Sequence, residues 1–131
     1  MKLDALQFNL GLAWLWILLG FLSGMVLGMF FHHENWLGGY VSLRRRMYRL
    51  GHISFFGLGA VNLFFWITMK LSPAAGAPVN FASGAFILGA ITMPLCCLVM
   101  AHFPKLHLIF AVPVVSLITG GLLTLLEVVK L

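Results

Sequence analysis

Histidine is the residue in this sequence best suited to holding a metal or cofactor, because neutral imidazole commonly ligates haem iron and transition metals. The chain contains five: His32, His33, His52, His102 and His107. Each lies at or near the end of a long apolar stretch, so antiparallel helices would bring all five to one end of the protein. Three interpretations are open: a haem site, a site for another metal, and histidines that only occupy a membrane interface.

His52 is the strongest candidate for an axial haem ligand. At about 100° per residue, it shares one helical face with Gly59, Asn62 and Trp66. That face would offer an imidazole, space beside a glycine for a flat macrocycle, an amide and an indole. An interfacial histidine that hydrogen-bonds a loop carbonyl would give the same pattern, so both interpretations stand.

A b-type haem also needs a second axial ligand and cationic groups near its propionates. We expect the second ligand to be His107, with His102 and His33 as less favoured alternatives. The cationic groups would be Arg45, Arg46 and Arg49.

Asn62 is the one amide expected near the middle of a membrane span. An amide in hydrocarbon is unfavourable unless it is hydrogen-bonded, so its side chain should face protein. It would either bond across helices as a structural contact or line a pocket for a ligand such as a quinone.

The composition identifies the solvent of this chain as lipid. It has 131 residues, of which 62% are hydrophobic and 8% are charged, with a mean hydropathy of +1.06. A soluble domain carries about 25% charged residues. We therefore expect an integral membrane protein with one transmembrane domain over residues 1–131, and no binding of nucleic acid.

Four apolar stretches predict four transmembrane helices, at about 10–31, 50–71, 81–101 and 108–129. Each is close to the ~20 residues that cross a bilayer core, where only helices or closed barrels satisfy the backbone. The predicted fold is an all-α, antiparallel, up-down-up-down four-helix bundle. Small residues repeat every fourth position at Gly20, Gly24 and Gly28 and again at Ser116, Gly120 and Thr124, which is typical of close helix packing.

Basic residues indicate orientation and a lipid contact. Arg44, Arg45, Arg46 and Arg49 lie between the first two spans, and Lys105 lies between the last two. The opposite side has only Lys2, Lys70 and Lys130. The positive side remains in the cytoplasm, so both termini should be periplasmic. The four arginines should also contact anionic lipid headgroups.

The segment from Leu37 to Ile53 reads L-G-G-Y-V-S-L-R-R-R, followed by R-L-G-H-I at Arg49. This pattern resembles small four-span bacterial inner-membrane proteins in which an arginine-rich turn leads into an R-L-G-H helix start. The resemblance covers residues 37–65. It implies the four-span fold and a bacterial inner membrane, but no activity and no ligand role. We also expect a short interfacial helix at 40–43.

Two functions follow as hypotheses. The first is an accessory transmembrane subunit of a larger bacterial energy-transducing complex, respiratory or photosynthetic, with bound lipid and no catalytic activity of its own. The alternative is an electron-transfer protein that binds b-type haem, or a metal, through the interfacial histidines. A transporter is disfavoured because no Asp, Glu, Lys or Arg lies near the centre of a span. The sequence also lacks phosphate-loop, HExxH and CxxCH patterns.

Overall fold

The computed structural model describes residues 4–72 and 76–130. In that part of the chain, four long α-helices follow one another and two short 3₁₀ segments connect them. The helices are α1 (Ala5–Phe30), α2 (Leu43–Leu71), α3 (Ala77–His102) and α4 (Ala111–Val129), and the 3₁₀ segments are Trp36–Gly38 and Pro104–Phe110. The predicted all-α membrane helical bundle is confirmed.

Each of these helices is long and apolar enough to cross a membrane, if α4 is counted together with the 3₁₀ segment before it. Large apolar side chains point outward, including Phe21, Phe81 and Val115, each at least 60% exposed. Such a surface is unfavourable in water and favourable in hydrocarbon. The chain is a multi-pass membrane protein.

The helix ends differ from the predicted ones where polar residues take part in helical structure. α2 begins at Leu43 instead of near residue 50, and Ser42 caps it by accepting a hydrogen bond from the Arg45 backbone N–H at 3.1 Å. The predicted interfacial helix at 40–43 is therefore wrong, because its last residues are the cap and first turn of α2. α3 begins at Ala77 instead of near residue 81, and residues 73–75 lie outside the described part.

Successive helices pack as antiparallel neighbours, and α3 lies at the centre of the bundle. α1 packs on α2, α2 on α3 and α3 on α4, while α1 also reaches α3. Trp16 Nε1 donates to the Ala90 carbonyl at 2.9 Å, which joins α1 to α3. Ser116 Oγ donates to the Ala85 carbonyl at 2.6 Å, which joins α4 to α3. α4 packs chiefly on α3, whereas α1 and α2 each pack on two other long helices.

Glycines in α1 admit large side chains of α2. A Cβ at Gly20 would lie 2.8 Å from the Phe56 ring, and one at Gly24 would lie 2.8 Å from Cε1 of His52. Both rings therefore rest directly on the α1 backbone, as expected for helices that associate by close packing in lipid. The third glycine of the predicted ridge, Gly28, has no such neighbour within 4 Å.

Glycines also admit large side chains at the α3–α4 contact, and here both helices supply a glycine. A Cβ at Gly89 of α3 would lie 2.5 Å from the Leu117 side chain, and one at Gly120 of α4 would lie 3.1 Å from the Phe86 ring. Each helix thus places a bulky side chain over a glycine of the other. Ser116 and Gly120 are buried, as their spacing predicts for a helix-packing face.

A buried polar cluster joins α1, α2 and α3. Asn9 Nδ2 donates to Asn62 Oδ1 at 2.8 Å, and Asn62 Nδ2 donates to the Leu58 carbonyl at 2.9 Å. Ser83 Oγ donates to Asn9 Oδ1 at 2.5 Å. All three side chains are at most 1% exposed. Asn62 therefore makes the structural bond across helices that was one of its two predicted roles.

Replacing Asn62 by Ala should lower the free energy of unfolding by about 1–2 kcal/mol, because Asn9 then loses an acceptor inside the bundle. SDS titration in mixed micelles, followed by tryptophan fluorescence, measures this change. Thr68→Val is the matched control on the same helix, since the Thr68 hydroxyl bonds only the Phe64 carbonyl of its own helix. Equal stability of the two variants would contradict a role for the cluster in joining helices.

Candidate functional site

The two connections that carry the histidines meet at one end of the bundle, which we call the histidine end (residues 31–52 and 102–110). Tyr48 Oη and His102 Nε2 are 3.0 Å apart, which links the start of α2 to the end of α3. Arg44 Nε donates to the Ala101 carbonyl at 3.4 Å, making a second link. The sequence-based prediction that all five histidines belong to one end of the helices agrees with this geometry.

Arg45 is the most deeply buried charged side chain of the histidine end, with 0% of its surface exposed. Its guanidinium donates to the carbonyls of Phe31, His33 (3.1 Å) and Glu34 (3.5 Å). These carbonyls belong to the turn that follows α1, beside the negative end of the helix dipole, which favours a cation. Arg45 therefore closes the end of α1 by tying this turn to the first turn of α2.

Aromatic rings complete the surroundings of Arg45. Its Cζ atom lies 4.0 Å from the Tyr40 ring centroid, 4.8 Å from that of Phe31 and 5.5 Å from that of Trp36. Cations within about 6 Å of an aromatic face are stabilised by the ring quadrupole. Among the described residues, the one ion pair is between Glu127 and Lys130. Carbonyl oxygens and ring faces, rather than a carboxylate, thus stabilise the Arg45 charge.

The environment of Arg45 changes two expectations from the sequence. Arg45 is not accessible to a lipid headgroup or to a haem propionate, because its guanidinium is enclosed by the turn. Arg44, Arg46 and Arg49 are exposed. The Arg49 guanidinium lies 5.9 Å from the Phe31 ring centroid, at the outer edge of the same turn. Nothing in a run of four arginines distinguishes the buried one before the fold is known.

The histidines lie at one end of the bundle, but their side chains do not converge on one position. His32 and His33 are exposed, with their ring centroids 4.2 Å apart. His107 is exposed on the 3₁₀ segment, which packs on α3 and α4, whereas the His52 ring rests on α1. Within residues 4–72 and 76–130, no three His, Cys, Asp or Glu side chains form a group that could hold a metal ion.

His52 is held between α1 and α2 by a hydrogen bond and by close packing. Its Nδ1 lies 2.8 Å from Ser23 Oγ, and the same hydroxyl donates to the Gly20 carbonyl at 3.1 Å. The ring also stands edge-on to Phe56, with centroids 5.5 Å apart. The sequence singled out His52 but not Ser23, because the register between two helices is not visible in a hydropathy pattern.

A cleft of about 290 Å³ opens beside His52, and we call it the His52 cleft. Its walls come from three helices: Val26 and Leu27 of α1, Tyr48 and Phe55 of α2, and Pro94 and Leu98 of α3. His52 and Ser23 also line it, and nearly all of the remaining surface is apolar. An apolar cavity with a few convergent polar groups is the usual form of a small-molecule site.

Comparison with known proteins finds no match: no family model, no curated protein and no solved structure is significantly similar to this chain. The resemblance over residues 37–65 stays a prediction.

Replacing Arg45 by Lys should lower the free energy of unfolding by about 2–3 kcal/mol. A lysine keeps the charge but lacks the planar fork that reaches several carbonyls at once, and it stacks less well on rings. Thermal unfolding in detergent, followed by circular dichroism, tests this. Arg46→Lys is the matched control, because Arg46 is exposed one position further along α2. A loss of stability as large in the control would contradict the proposed closure of α1 by Arg45.

Proposed function

We propose that this chain is an accessory transmembrane subunit that packs against helices of a larger membrane complex. The observation that carries the proposal is the exposure of α4, which packs chiefly on α3 and has an open groove along each side. A bundle that completed its own packing would enclose its last helix more fully.

The first groove, which we call the α3–α4 groove, has a volume of about 640 Å³. Asn80, Gly84 and Leu88 of α3 line one wall, and Val115 and Thr119 of α4 line the other. The second, the α2–α4 groove, has a volume of about 460 Å³. Its lining includes Phe64 and Thr68 of α2, Phe86 of α3, and Gly121 and Leu125 of α4.

Small and polar residues in these grooves favour a helix as the occupant. A Cβ at Gly84 or at Gly121 would meet nothing within 4 Å, so neither glycine is required by packing within the described residues. Asn80 exposes an amide one turn from Gly84. Helix association in membranes relies on small residues for close approach and on amides for interhelical hydrogen bonds. A lipid acyl chain cannot hydrogen-bond an amide, and it does not need a glycine in order to make contact.

The sequence predicts the membrane in which the chain lies and the orientation of its ends. The arginine-rich turn places the histidine end in the cytoplasm by the positive-inside rule, so both termini would be periplasmic in a bacterial inner membrane. The exposed Arg44, Arg46 and Arg49 would contact anionic lipid there. The absence of ionisable residues near the centre of any span favours a supporting role in an energy-transducing complex over ion transport.

Filling the α3–α4 groove tests the subunit role. Gly84→Leu should reduce at least tenfold the amount of partner protein that co-purifies with the chain in mild detergent, because a bulky side chain would block a helix in the groove. Quantitative mass spectrometry of the purified complex measures this amount. Gly57→Leu is the matched control, since Gly57 is an equally open glycine on α2 outside both grooves. A chain that purifies alone and monomeric from its native membrane would refute the proposal.

The orientation has a separate test. A cysteine appended after Lys130 should react with a membrane-impermeant maleimide added to intact cells whose outer membrane is permeabilised, because we expect the C-terminus in the periplasm. A cysteine replacing Lys105 should react only after the inner membrane is opened. Cys96 and Cys97 are buried and give the background level in the parent chain. The reverse labelling pattern would place the histidine end in the periplasm.

Binding of b-type haem, or of a metal, stays a prediction and is our alternative to the subunit role. His52 supports it, because this histidine lines a cleft whose walls are apolar residues of three helices. The second axial ligand stays a prediction, with His107 ahead of His102 and His33; the Tyr48 hydroxyl lies 3.0 Å from His102 Nε2. Asn62 belongs to the polar cluster of α1, α2 and α3, which weakens the case for it as a cofactor contact.

A further inference from the structure

We propose that the His52 cleft binds the ring of a lipid-soluble hydroquinone, with a ring hydroxyl donating a hydrogen bond to Nε2 of His52. This inference goes beyond the subunit role, because it depends on the interface of α1, α2 and α3 and not on the grooves beside α4. Each proposal can therefore fail without the other.

The contact with Ser23 assigns the tautomer of neutral His52. The Ser23 hydroxyl has a single proton and lies 3.1 Å from the Gly20 carbonyl and 2.8 Å from His52 Nδ1. A carbonyl can only accept, so the assignment that satisfies both contacts has the hydroxyl donating to Gly20 and accepting from His52. The opposite assignment would leave two oxygen acceptors facing each other at 3.1 Å. Neutral His52 is thus protonated at Nδ1 and presents a lone pair at Nε2.

The Nε2 atom of His52 lacks a hydrogen-bond partner among the described residues. No described residue donates a hydrogen bond to it, and the cleft that His52 lines is almost entirely apolar. Leaving an acceptor unpaired in such surroundings is unfavourable by about 1–3 kcal/mol. A lipid acyl chain fills space but donates no hydrogen bond. The occupant that suits the cleft must therefore present an O–H or N–H group.

The size and shape of the His52 cleft suit a single ring. At about 290 Å³, the cleft lies just below the ~300–1,000 Å³ range of small-molecule sites, which suits one ring better than a four-ring macrocycle. Flat side chains line it, namely Phe55 and Tyr48 with Pro94. Aromatic faces and proline favour a planar ligand, because offset-stacked and edge-to-face ring contacts are stabilising.

The His52 cleft lies at a depth in the membrane that suits a ring with polar substituents. His52 lies about 14 Å along α2 from its first residue, at ~1.5 Å per residue, and Tyr48 lies one turn nearer to the histidine end. Tyrosine is typical of membrane interfaces, where its ring is in lipid and its hydroxyl is near water. The cleft is therefore close to the boundary of the hydrocarbon, where a ring with two hydroxyls and an apolar tail would lie.

Binding of a tail-less probe tests the proposal. The purified chain in detergent is titrated anaerobically with tetramethyl-1,4-hydroquinone and, separately, with the corresponding quinone, and heat is measured by calorimetry. We expect saturable binding in which the hydroquinone binds about three- to tenfold more tightly than the quinone, the effect of one net hydrogen bond. The quinone has only acceptors and would face the lone pair of Nε2.

Three variants separate the proposed contact from general damage. His52→Phe should abolish the preference for the hydroquinone. Ser23→Ala keeps the cleft and the imidazole but frees Nδ1, so the preference should fall while binding persists; this variant carries the test if His52→Phe does not fold. His107→Phe is the matched control and should bind like the parent chain, because His107 is exposed outside the cleft.

Four results would overturn the proposal. They are no saturable binding of the hydroquinone, equal affinity for the two redox forms in the parent chain, an unchanged preference in both His52→Phe and Ser23→Ala, and a Soret absorption band in the purified protein that His52→Phe removes. The last result would identify haem as the occupant. A partner that co-purifies through the α4 grooves would neither support nor oppose the hydroquinone site.

Discussion

Hydrocarbon offers no hydrogen bonds, so every polar group inside this bundle must find its partner within the protein or in a ligand. The chain meets this constraint in three ways. Asn9, Asn62 and Ser83 bond one another across three helices. Arg45 donates to carbonyls at the end of α1 and lies among aromatic rings. His52 satisfies Nδ1 through Ser23 and lines an apolar cleft, and no described residue donates to its Nε2. Arg45 Nε is also buried without a hydrogen-bond partner, but of the two side chains only His52 lines a cleft that a ligand could enter.

Close backbone contact is the second requirement, because lipid tails give apolar helices no reason to prefer one another over solvent. Between α1 and α2, Gly20 and Gly24 lie under Phe56 and His52, so the packing that joins the two helices also positions the imidazole. Structure and candidate chemistry thus share residues at this interface. The grooves beside α4 differ: a Cβ at Gly84 or at Gly121 would meet no described atom within 4 Å.

The hydropathy pattern was sufficient to predict four antiparallel helices and the common location of the histidines, because span length and hairpin connection leave few alternatives. It could not predict Asn9, since a polar residue near the start of a span usually meets water. It could not separate Arg45 from its neighbours, because burial of one arginine among four depends on the path of the preceding turn. The proximity of Ser23 to His52 depends on the register between α1 and α2, which neither the composition nor the hydropathy period of the sequence reveals.

The surroundings of Arg45 are local in the chain, since the residues that contact its guanidinium all lie between Phe31 and Tyr40. Ser42 donates to the Leu37 carbonyl within the same segment. Enclosing the Arg45 charge therefore requires no residue of α3 or α4. The first hairpin carries its own solvation for this cation, whatever packs against it later.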